Sequence, residues 1–339
     1  MTQVAHKIHE IEAEATTLPI DAMLSGGQPL VLKGIARNWG LVQAGSKSAR
    51  DAMAYLRSFY NGKPVHYSYG GPEIESRPFY SSDFTQLNCT VRRERLDQVL
   101  DQIETHLQDA RPPTYYVASL LIDGCMPGLR AENDLRLETL SIDAPPSIWI
   151  GTRTIASCHY DAPNNIAVCA VGHRRFTLFP PDQISNLYPG PLEVTPGGQA
   201  ISVVDFARPD FERFPKFRDA LAAGYVAEVE PGDAVFIPSM WWHHVEGLSP
   251  FNTLINYWWS SAPKFIPTPM HALYHAMWTL RDRPAREKEA WKEVFEYYVF
   301  GPSQTPGEHL PEQARGMLGP IDDTRARQIR AMLINKLNY

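Results

Sequence analysis

The middle of the chain consists of short apolar runs separated by proline and glycine, and this pattern predicts β-strands. The runs lie between about Ser147 and Ser261 and comprise PSIWIGTRTIASCHYD, NIAVCAVG, RRFTLFPP, YVAEVEPGDAVFIP, WWHHVEG and NTLINYWW. Many short strands with such punctuation are typical of an antiparallel sandwich or barrel. Within them, VEPGDAVFIP predicts a hairpin closed by a Pro-Gly-Asp turn.

The flanking regions mix helices with a few strands. QPLVLKGIA predicts a short strand and RPPTYYVASLLI an extended segment, whereas SARDAMAYLRSFY predicts a helix capped by Ser48. RRERLDQVLDQIETHLQ carries apolar residues at helical spacing, so a helix is expected there too. After Pro263, the segments MHALYHAMWTL, REKEAWKEVFEYYVF and DTRARQIRAMLINKL predict further helices.

The predicted fold is therefore mainly β with flanking helices, arranged in three regions. Residues 1–112 form a mixed α/β region that packs on the core, residues 113–262 form the barrel, and residues 263–339 form a helical region. The C-terminal helices have apolar faces, and two explanations stay open: they join two copies as a homodimer, or they pack on the barrel of their own chain. These faces contain Leu273, Met277, Trp278, Trp291, Phe295 and Tyr298.

Composition narrows the class of protein. The chain has 339 residues, 44% hydrophobic and 21% charged, which is ordinary for a globular protein. Its formal net charge of -6 argues against a nucleic-acid partner. No apolar run approaches the roughly 20 residues of a membrane span, and the N-terminus lacks the apolar stretch of a secretory signal. The four cysteines have no CxxC spacing, so we expect reduced thiols and a cytoplasmic location.

One strand end carries two side chains that can bind a metal. His159 and Asp161 are two residues apart in SCHYDAPNNIAV, so on an extended strand both point to the same face. A neutral imidazole and a carboxylate can occupy adjacent coordination positions of a divalent metal, and a second histidine would complete a two-His-one-carboxylate triad. The structural alternative is a hydrogen-bonded pair that caps a loop.

The segment PSMWWHHVEG is the natural source of the third ligand. Its neighbouring histidines, His243 and His244, face opposite sides of a strand. Because the His244 face also carries Glu246, and a barrel interior prefers the face without a carboxylate, we expect His243 to point inward. Two alternatives stay open: a separate site formed by His244 and Glu246, and a histidine that only packs among tryptophans.

Arg174 is the candidate for binding an anionic ligand. It shares a strand face with Phe176 and Leu178, which is the more apolar face of RRFTLF. A buried cation needs a partner, and a guanidinium can bind a carboxylate through two hydrogen bonds. The partner is either a bound carboxylate or an acidic residue of the chain itself.

Several motifs together resemble one family. HYDAPNN, RRFTLFPPDQ, LYPGPLE, DFARPDFERFPKF, EPGDAVFIPSMWWHHVEGL and INYWW are similar in kind and order to the JmjC/cupin-type Fe(II)- and 2-oxoglutarate-dependent oxygenases. The resemblance covers about Tyr115 to Trp259, and it is strongest to the branch that hydroxylates an asparagine of hypoxia-inducible factor. The N-terminal region shares only a looser pattern, PLVLKGIARNW.

The resemblance implies a double-stranded β-helix that uses Fe(II), 2-oxoglutarate and dioxygen. It places the metal ligands at His159, Asp161 and His243, in agreement with strand parity, and it places cofactor-binding residues at Arg174, Tyr116, Asn165 and Asn256. For the asparagines the alternative is a turn-forming role, and for the tyrosine a core position.

The chain departs from the family pattern at two positions. Arg174 replaces a lysine, and Ala156 replaces a threonine three residues before the histidine of the HxD motif, so one carboxylate contact is missing or comes from another residue.

The predicted function is that of a 2-oxoglutarate-dependent non-haem iron dioxygenase. It would couple decarboxylation of 2-oxoglutarate to hydroxylation of a protein side chain or a small molecule. Two other classes stay open: a non-catalytic cupin-like protein that binds a ligand or peptide, and a metal enzyme that uses the same triad without 2-oxoglutarate.

Overall fold

The structure is a computed structural model that describes residues 4–338. The chain divides into two compact units, Met1–Ser260 and Ser261–Tyr339. The first unit contains every strand of the described residues, and the second contains helices and turns.

The bounds of the elements within residues 4–338 are as follows. The strands are β1 (His6–Lys7), β2 (His9–Glu12), β3 (Leu30–Lys33), β4 (Val65–Gly70), β5 (Thr90–Glu94), β6 (Thr114–Leu121), β7 (Pro146–Gly151), β8 (Ile155–Tyr160), β9 (Asn164–Val171), β10 (Arg174–Phe179), β11 (Tyr225–Val229), β12 (Ala234–Ile237), β13 (Trp242–Gly247) and β14 (Asn252–Trp259). The α-helices are α1 (Ile20–Gly26), α2 (Gly40–Lys47), α3 (Ala49–Phe59), α4 (Leu96–Thr105), α5 (Ile122–Cys125), α6 (Phe217–Ala223), α7 (Met270–Leu280), α8 (Ala285–Phe295) and α9 (Asp323–Leu337). A π-helical turn, Glu296–Phe300, extends α8.

The strands of residues 4–338 form two sheets. The small sheet has the order β1-β11-β10-β13-β8, and the large sheet has the order β2-β3-β12-β9-β14-β7-β6-β4-β5. Strands β7 to β14 build a four-stranded half in each sheet, with repeated crossings from one sheet to the other. This arrangement is a jelly roll, so the predicted double-stranded β-helix is confirmed.

The large sheet is covered on both faces. One face and the small sheet enclose a cluster that includes Ala167, Phe176 and Trp241. The other face packs against the N-terminal helices, in a cluster that contains Val168 and Leu56. All eight residues of β9 are buried for this reason, and its alternate residues belong to the two different clusters.

The expected hairpin in VEPGDAVFIP is wrong. Strand β11 pairs with β1 and β10 in the small sheet, whereas β12 pairs with β3 and β9 in the large one. The turn itself is present, because Asp233 N–H donates to the Glu230 carbonyl and Gly232 adopts a φ of 98°. The turn carries the chain across the barrel instead of folding it back on its neighbour.

The predicted helix capped by Ser48 is confirmed, because its hydroxyl accepts the Asp51 N–H of α3 at 3.0 Å. The helix expected from RRERL onward begins only at Leu96. The preceding residues form β5, which pairs with β4, and Arg92 stacks on the Tyr69 ring at 3.6 Å. The apolar periodicity itself begins at Leu96, so the observed helix starts where the periodic residues start.

The C-terminal unit exposes many apolar side chains. No described residue of α7, α8 or α9 is buried, and the exposed fraction reaches 76% for Trp278 and 72% for Phe300. The homodimer that these faces predict stays a prediction. None of the helices within residues 4–338 has the length and apolarity needed to cross a membrane.

Candidate functional site

Strand pairing brings the two predicted histidine ligands together. His159 on β8 lies directly opposite His243 on β13, with the ring centroids 4.3 Å apart. Asp161 follows β8 immediately. One ligand atom from each of the three residues lies within 4.8 Å of the other two. The spacing suits a single metal ion shared by all three side chains.

Both imidazoles are oriented through the same nitrogen. His159 Nδ1 lies 2.8 Å from the Ser157 carbonyl, and His243 Nδ1 lies 3.0 Å from the Trp241 carbonyl. A carbonyl only accepts, so each Nδ1 carries the proton and each Nε2 keeps a free lone pair. This is the tautomer that a metal ligand requires, and the backbone contacts fix the ring orientation.

A tryptophan orients the carboxylate of the triad. The Trp258 indole N–H donates to Asp161 Oδ2 at 3.1 Å. The same oxygen lies 3.6 Å from His243 Nε2. The Asp161 carbonyl accepts the Met240 N–H at 2.8 Å, which ties the backbone after β8 to the loop before β13. Asp161 is therefore held from both its backbone and its side chain.

The electrostatic environment keeps His243 neutral. Burial lowers its pKa to about 4, with a further lowering from the neighbouring His159 and an opposing effect of Asp161. The ring is therefore unprotonated at neutral pH. Two neutral imidazoles and a carboxylate form a donor set that fits Fe(II), and a facial set of this kind leaves coordination positions open for other ligands.

The triad lies in a cavity of about 460 Å³ between the two sheets. Its walls are largely apolar, and its charged side chains are the metal-site aspartate and one arginine. The lining includes Ser68, Tyr116, Trp149, Ala156, Ser157, His159, Asp161, Pro163, Asn165, Arg174, Phe176, Pro196, Gln199, His243, Val245, Asn256 and Trp258. All seven predicted site residues are thus brought to one cavity.

Arg174 enters this cavity without a partner. Its side chain is buried, with 4% of the residue exposed; its Nε has no hydrogen-bond partner, and its guanidinium forms no ion pair within residues 4–338. Burial lowers its pKa, although an arginine stays charged at neutral pH. The structural alternative, an ion pair with an acidic residue of the described chain, is therefore wrong.

An amide and aromatic network forms the opposite wall. Asn256 Nδ2 donates to Asn165 Oδ1 at 3.2 Å, and the Trp149 indole N–H donates to Asn256 Oδ1 at 2.7 Å. Tyr116 packs on Trp149, with the ring centroids 5.8 Å apart. Burial raises the pKa of Tyr116 to about 12, so its hydroxyl stays protonated and can donate.

A family model described as a cupin-like domain matches residues 16–265. The chain belongs to the cupin-like domain family. The predicted resemblance to JmjC/cupin proteins is confirmed at this level, whereas the narrower resemblance to the asparaginyl hydroxylase branch stays a prediction.

Three relatives illustrate the range. This cupin-like chain is 35% identical to HSPB1-associated protein 1 homolog of Danio rerio over 116 residues, which cover 33% of the chain and 25% of the relative. It is 35% identical to JmjC domain-containing protein F of Dictyostelium discoideum over 127 residues, 33% of the chain and 26% of the relative. It is 24% identical to Lysine-specific demethylase 8 of Xenopus tropicalis over 242 residues, 71% of the chain and 50% of the relative. The matches thus span a quarter to a half of these relatives' lengths.

The alternative pair on the other face of β13 has no place in the cavity of this cupin-like protein. His244 stacks on Phe206 with the ring centroids 4.4 Å apart, and burial lowers its pKa to about 3. Glu246 accepts a hydrogen bond from Arg175 at 3.2 Å, and the same guanidinium binds Glu228. These residues stabilise the outside of the small sheet, as strand parity predicts.

The sequence-based prediction did not single out Trp258 and Trp149, whose indole N–H groups donate to Asp161 and Asn256. The first could have been found from parity, because Trp258 and Asn256 share a face of β14 while Tyr257 and Trp259 belong to the apolar cluster on the other face. Trp149 lies on β7, and only the pairing of β7 with β14 reveals its contact with Asn256.

Proposed function

We propose that this protein is an Fe(II)- and 2-oxoglutarate-dependent dioxygenase that hydroxylates a protein side chain or a small molecule. The observation that carries the proposal is the combination of an oriented triad and an unpartnered buried arginine in one cavity. A buried guanidinium is costly without an anion, so a carboxylate ligand is the natural complement of Arg174.

His159, Asp161 and His243 would hold the iron. The Nδ1 protons of the two histidines are already donated to backbone carbonyls, so their Nε2 atoms can bind without a tautomer change. When bound, Fe(II) supplies the one-electron and dioxygen chemistry that side chains alone lack. The neutral imidazoles and the single carboxylate leave the bound metal with one positive charge, which favours an anionic cosubstrate.

Arg174 would bind the carboxylate of 2-oxoglutarate that is farthest from the metal. Its charge cannot be removed by deprotonation, and its fork can donate two parallel hydrogen bonds. Tyr116 would donate a further hydrogen bond in the same region, because its hydroxyl stays protonated. Asn256 is oriented by Trp149 and Asn165 and would present its amide to the cosubstrate side of the cavity.

The apolar lining would exclude water from the reacting groups. Pro163, Phe176 and Val245 bring no hydrogen-bonding side-chain group to the cavity. Exclusion of water strengthens the attraction between Arg174 and a carboxylate. The substrate to be hydroxylated would enter beside Ser68, Pro196 and Gln199, which are uncharged.

An anaerobic titration tests the proposal. Fe(II) and then 2-oxoglutarate are added to metal-free protein, and the visible charge-transfer band of a chelated 2-oxo acid is recorded. We expect a saturable band in the wild type, none in Asp161→Ala, and a strongly weakened one in Arg174→Ala. Arg175→Ala is the matched control, because this neighbouring arginine binds Glu228 and Glu246 outside the cavity.

The other function classes predict different outcomes. Iron binding without a band at saturating 2-oxoglutarate would reject the proposed cosubstrate and favour a metal enzyme of another kind. Absence of stoichiometric metal binding would favour a non-catalytic ligand-binding protein. An equal loss of the band in Arg174→Ala and Arg175→Ala would indicate a general folding effect and contradict the assigned role of Arg174.

A further inference from the structure

The large sheet extends beyond the barrel on one side. Strands β6, β4 and β5 follow β7 in this sheet, whereas the small sheet has no strand beyond β8 within residues 4–338. The large sheet is therefore wider than the small one by three strands. We call the face of β6, β4 and β5 that continues the cavity wall the ledge.

Strand pairing carries the cavity wall onto the ledge. Tyr116 on β6 lies opposite Ser68 on β4, and both residues line the cavity. Ser68 in turn lies opposite Val91 on β5, and the next pair on the same face is His66 with Arg93. Directly opposite residues of antiparallel strands point to the same face of a sheet. The ledge is therefore one continuous surface from the cavity to the edge of the large sheet.

The ledge exposes large apolar side chains beside the cavity. Val91 is 67% exposed. Leu121 is 56% exposed, and it lies opposite Ser147, which shares a face of β7 with Trp149 in the cavity wall. Exposed apolar surface that adjoins a cavity marks a place where a bound molecule can extend outward.

The Arg93 end of the ledge lies at the level of the metal site. Leu121 of β6 and Asn256 of β14 pair with the same residue of β7. Two residues further along β14, Trp258 donates to Asp161. Strands β5 and β6 run in the same direction, because each is antiparallel to β4, so Arg93 is displaced towards the same end as Leu121.

The positive charge of Arg93 is not compensated by the described chain. Arg93 is exposed and forms no ion pair within residues 4–338. Its neighbours differ: Arg92, on the other face of β5, stacks on the Tyr69 ring at 3.6 Å, and Arg95 binds Asp97. The ledge itself carries no carboxylate. The guanidinium of Arg93 is therefore available to an acidic group of a ligand.

We propose that the ledge binds an extended polypeptide substrate and that Arg93 pairs with an acidic side chain of this substrate. The inference rests on the proposed function, because it concerns the molecule that is hydroxylated. Three strand spacings of about 4.8 Å separate β5 from β7, which is roughly 14 Å in total. An extended chain advances about 3.3 Å per residue, so the acidic residue lies about four or five residues from the hydroxylated one. A small molecule confined to the cavity does not reach Arg93.

A peptide selection on the full-length protein tests this inference. Protein loaded anaerobically with Fe(II) and 2-oxoglutarate captures peptides from a random-sequence library whose members are long enough to span the ledge in either direction. The wild type is compared with Arg93→Glu and with the matched control Arg92→Glu, which changes the other face of the same strand. We expect the wild type and Arg92→Glu to enrich aspartate and glutamate about four or five residues from a common residue. Arg93→Glu is expected to enrich lysine and arginine at that position instead.

The peptide most enriched by the wild type is then synthesised, and its binding is measured by fluorescence anisotropy. We expect its dissociation constant to rise roughly five- to thirtyfold in Arg93→Glu, because an attraction between surface charges becomes a repulsion of similar size. Arg92→Glu should leave the constant unchanged. When dioxygen is admitted, the peptide should gain one oxygen atom at the common residue. 2-Oxoglutarate takes the other oxygen atom and loses CO2 to become succinate.

The outcomes separate this inference from the proposed function. If the protein shows the 2-oxoglutarate band but captures no peptide, or if the acidic preference persists in Arg93→Glu, the inference is refuted while the proposed function stands. A captured peptide that gains no oxygen atom would be a docking partner and not a substrate, which also refutes the inference. Tighter binding of a single-stranded oligonucleotide than of the peptide, dependent on Arg93, would reject a polypeptide as the occupant. Absence of the band would overturn the proposed function and the substrate role of the ledge together.

Discussion

Replacement of Trp258 by phenylalanine is expected to weaken metal binding while the fold is retained. The indole N–H of Trp258 donates to Asp161 Oδ2 at 3.1 Å, and phenylalanine keeps an aromatic ring but has no donor. The ring of Trp258 also meets Trp149 edge to face, with the centroids 5.8 Å apart. Most of this packing survives in the variant, so the change isolates one hydrogen bond.

The expected magnitude follows from the charge on the acceptor. A hydrogen bond to a charged group contributes about 1.5–3 kcal/mol, which corresponds to roughly ten- to hundredfold in a dissociation constant. Groups that orient a metal ligand typically change metal affinity by the same amount. We therefore expect Trp258→Phe to lose metal affinity in this range. Removal of the Asp161 carboxylate itself is expected to abolish stoichiometric metal binding.

The assay is an anaerobic titration of metal-free protein with Fe(II), and Co(II) serves as a spectroscopic substitute. Trp149→Phe is the matched control, because this neighbouring indole donates to Asn256 at 2.7 Å and not to a metal ligand. We expect Trp149→Phe to bind metal with wild-type affinity. Equal affinities of the wild type and Trp258→Phe would show that Asp161 is held without the indole, and the reasoning from this contact would fail.

Three further predictions follow from other parts of the structure. Arg174→Met is expected to raise the free energy of unfolding of the ligand-free protein by about 1–2 kcal/mol, because it removes an unpartnered buried charge; a lower stability in chemical denaturation would contradict this. Asp233→Ala is expected to lower the free energy of unfolding by about 1–3 kcal/mol, because Asp233 accepts hydrogen bonds from Lys33 Nζ and Gly34 N–H. The bond to Asp233 raises the pKa of Lys33, so the wild-type stability from this pair is present below pH 10.5 and is lost as the pH rises through the raised pKa; thermal unfolding measured below and above pH 10.5 should show this loss in the wild type and not in the variant. The exposed apolar faces of α7 and α8 predict a homodimer, and a monomer at micromolar concentration in size-exclusion chromatography with light scattering would reject it.

Strand parity correctly predicted which of two neighbouring histidines enters the cavity. His243 and His244 are neighbours, and only their alternation on β13 separates the one that enters the cavity from the one that packs on Phe206. The same argument separates Arg174 from Arg175 on β10. Alternation is a local property of extended backbone, so it can be derived from a short segment without knowledge of the partner strands.

Pairing between distant strands could not be derived in this way. The turn between β11 and β12 was predicted correctly from Pro231, Gly232 and Asp233, but the assignment of those strands to different sheets depends on β3, β9 and β10. The extended segment before α4 also depends on strand pairing. The charged residues before Leu96 carry no apolar periodicity, and β5 pairs with β4 there.

The contacts that orient the site residues could not be predicted from short segments, because they also depend on pairing between distant strands. The contact of Trp258 with Asp161 joins residues 97 positions apart, and that of Trp149 with Asn256 joins residues 107 apart. The bulge in β8 exists only in the register between β8 and β13. The residue types of the triad are therefore encoded locally, whereas the groups that orient them are fixed by the closure of the barrel. Trp258→Phe tests that closure directly, since it removes one polar group and leaves His159, Asp161 and His243 unchanged.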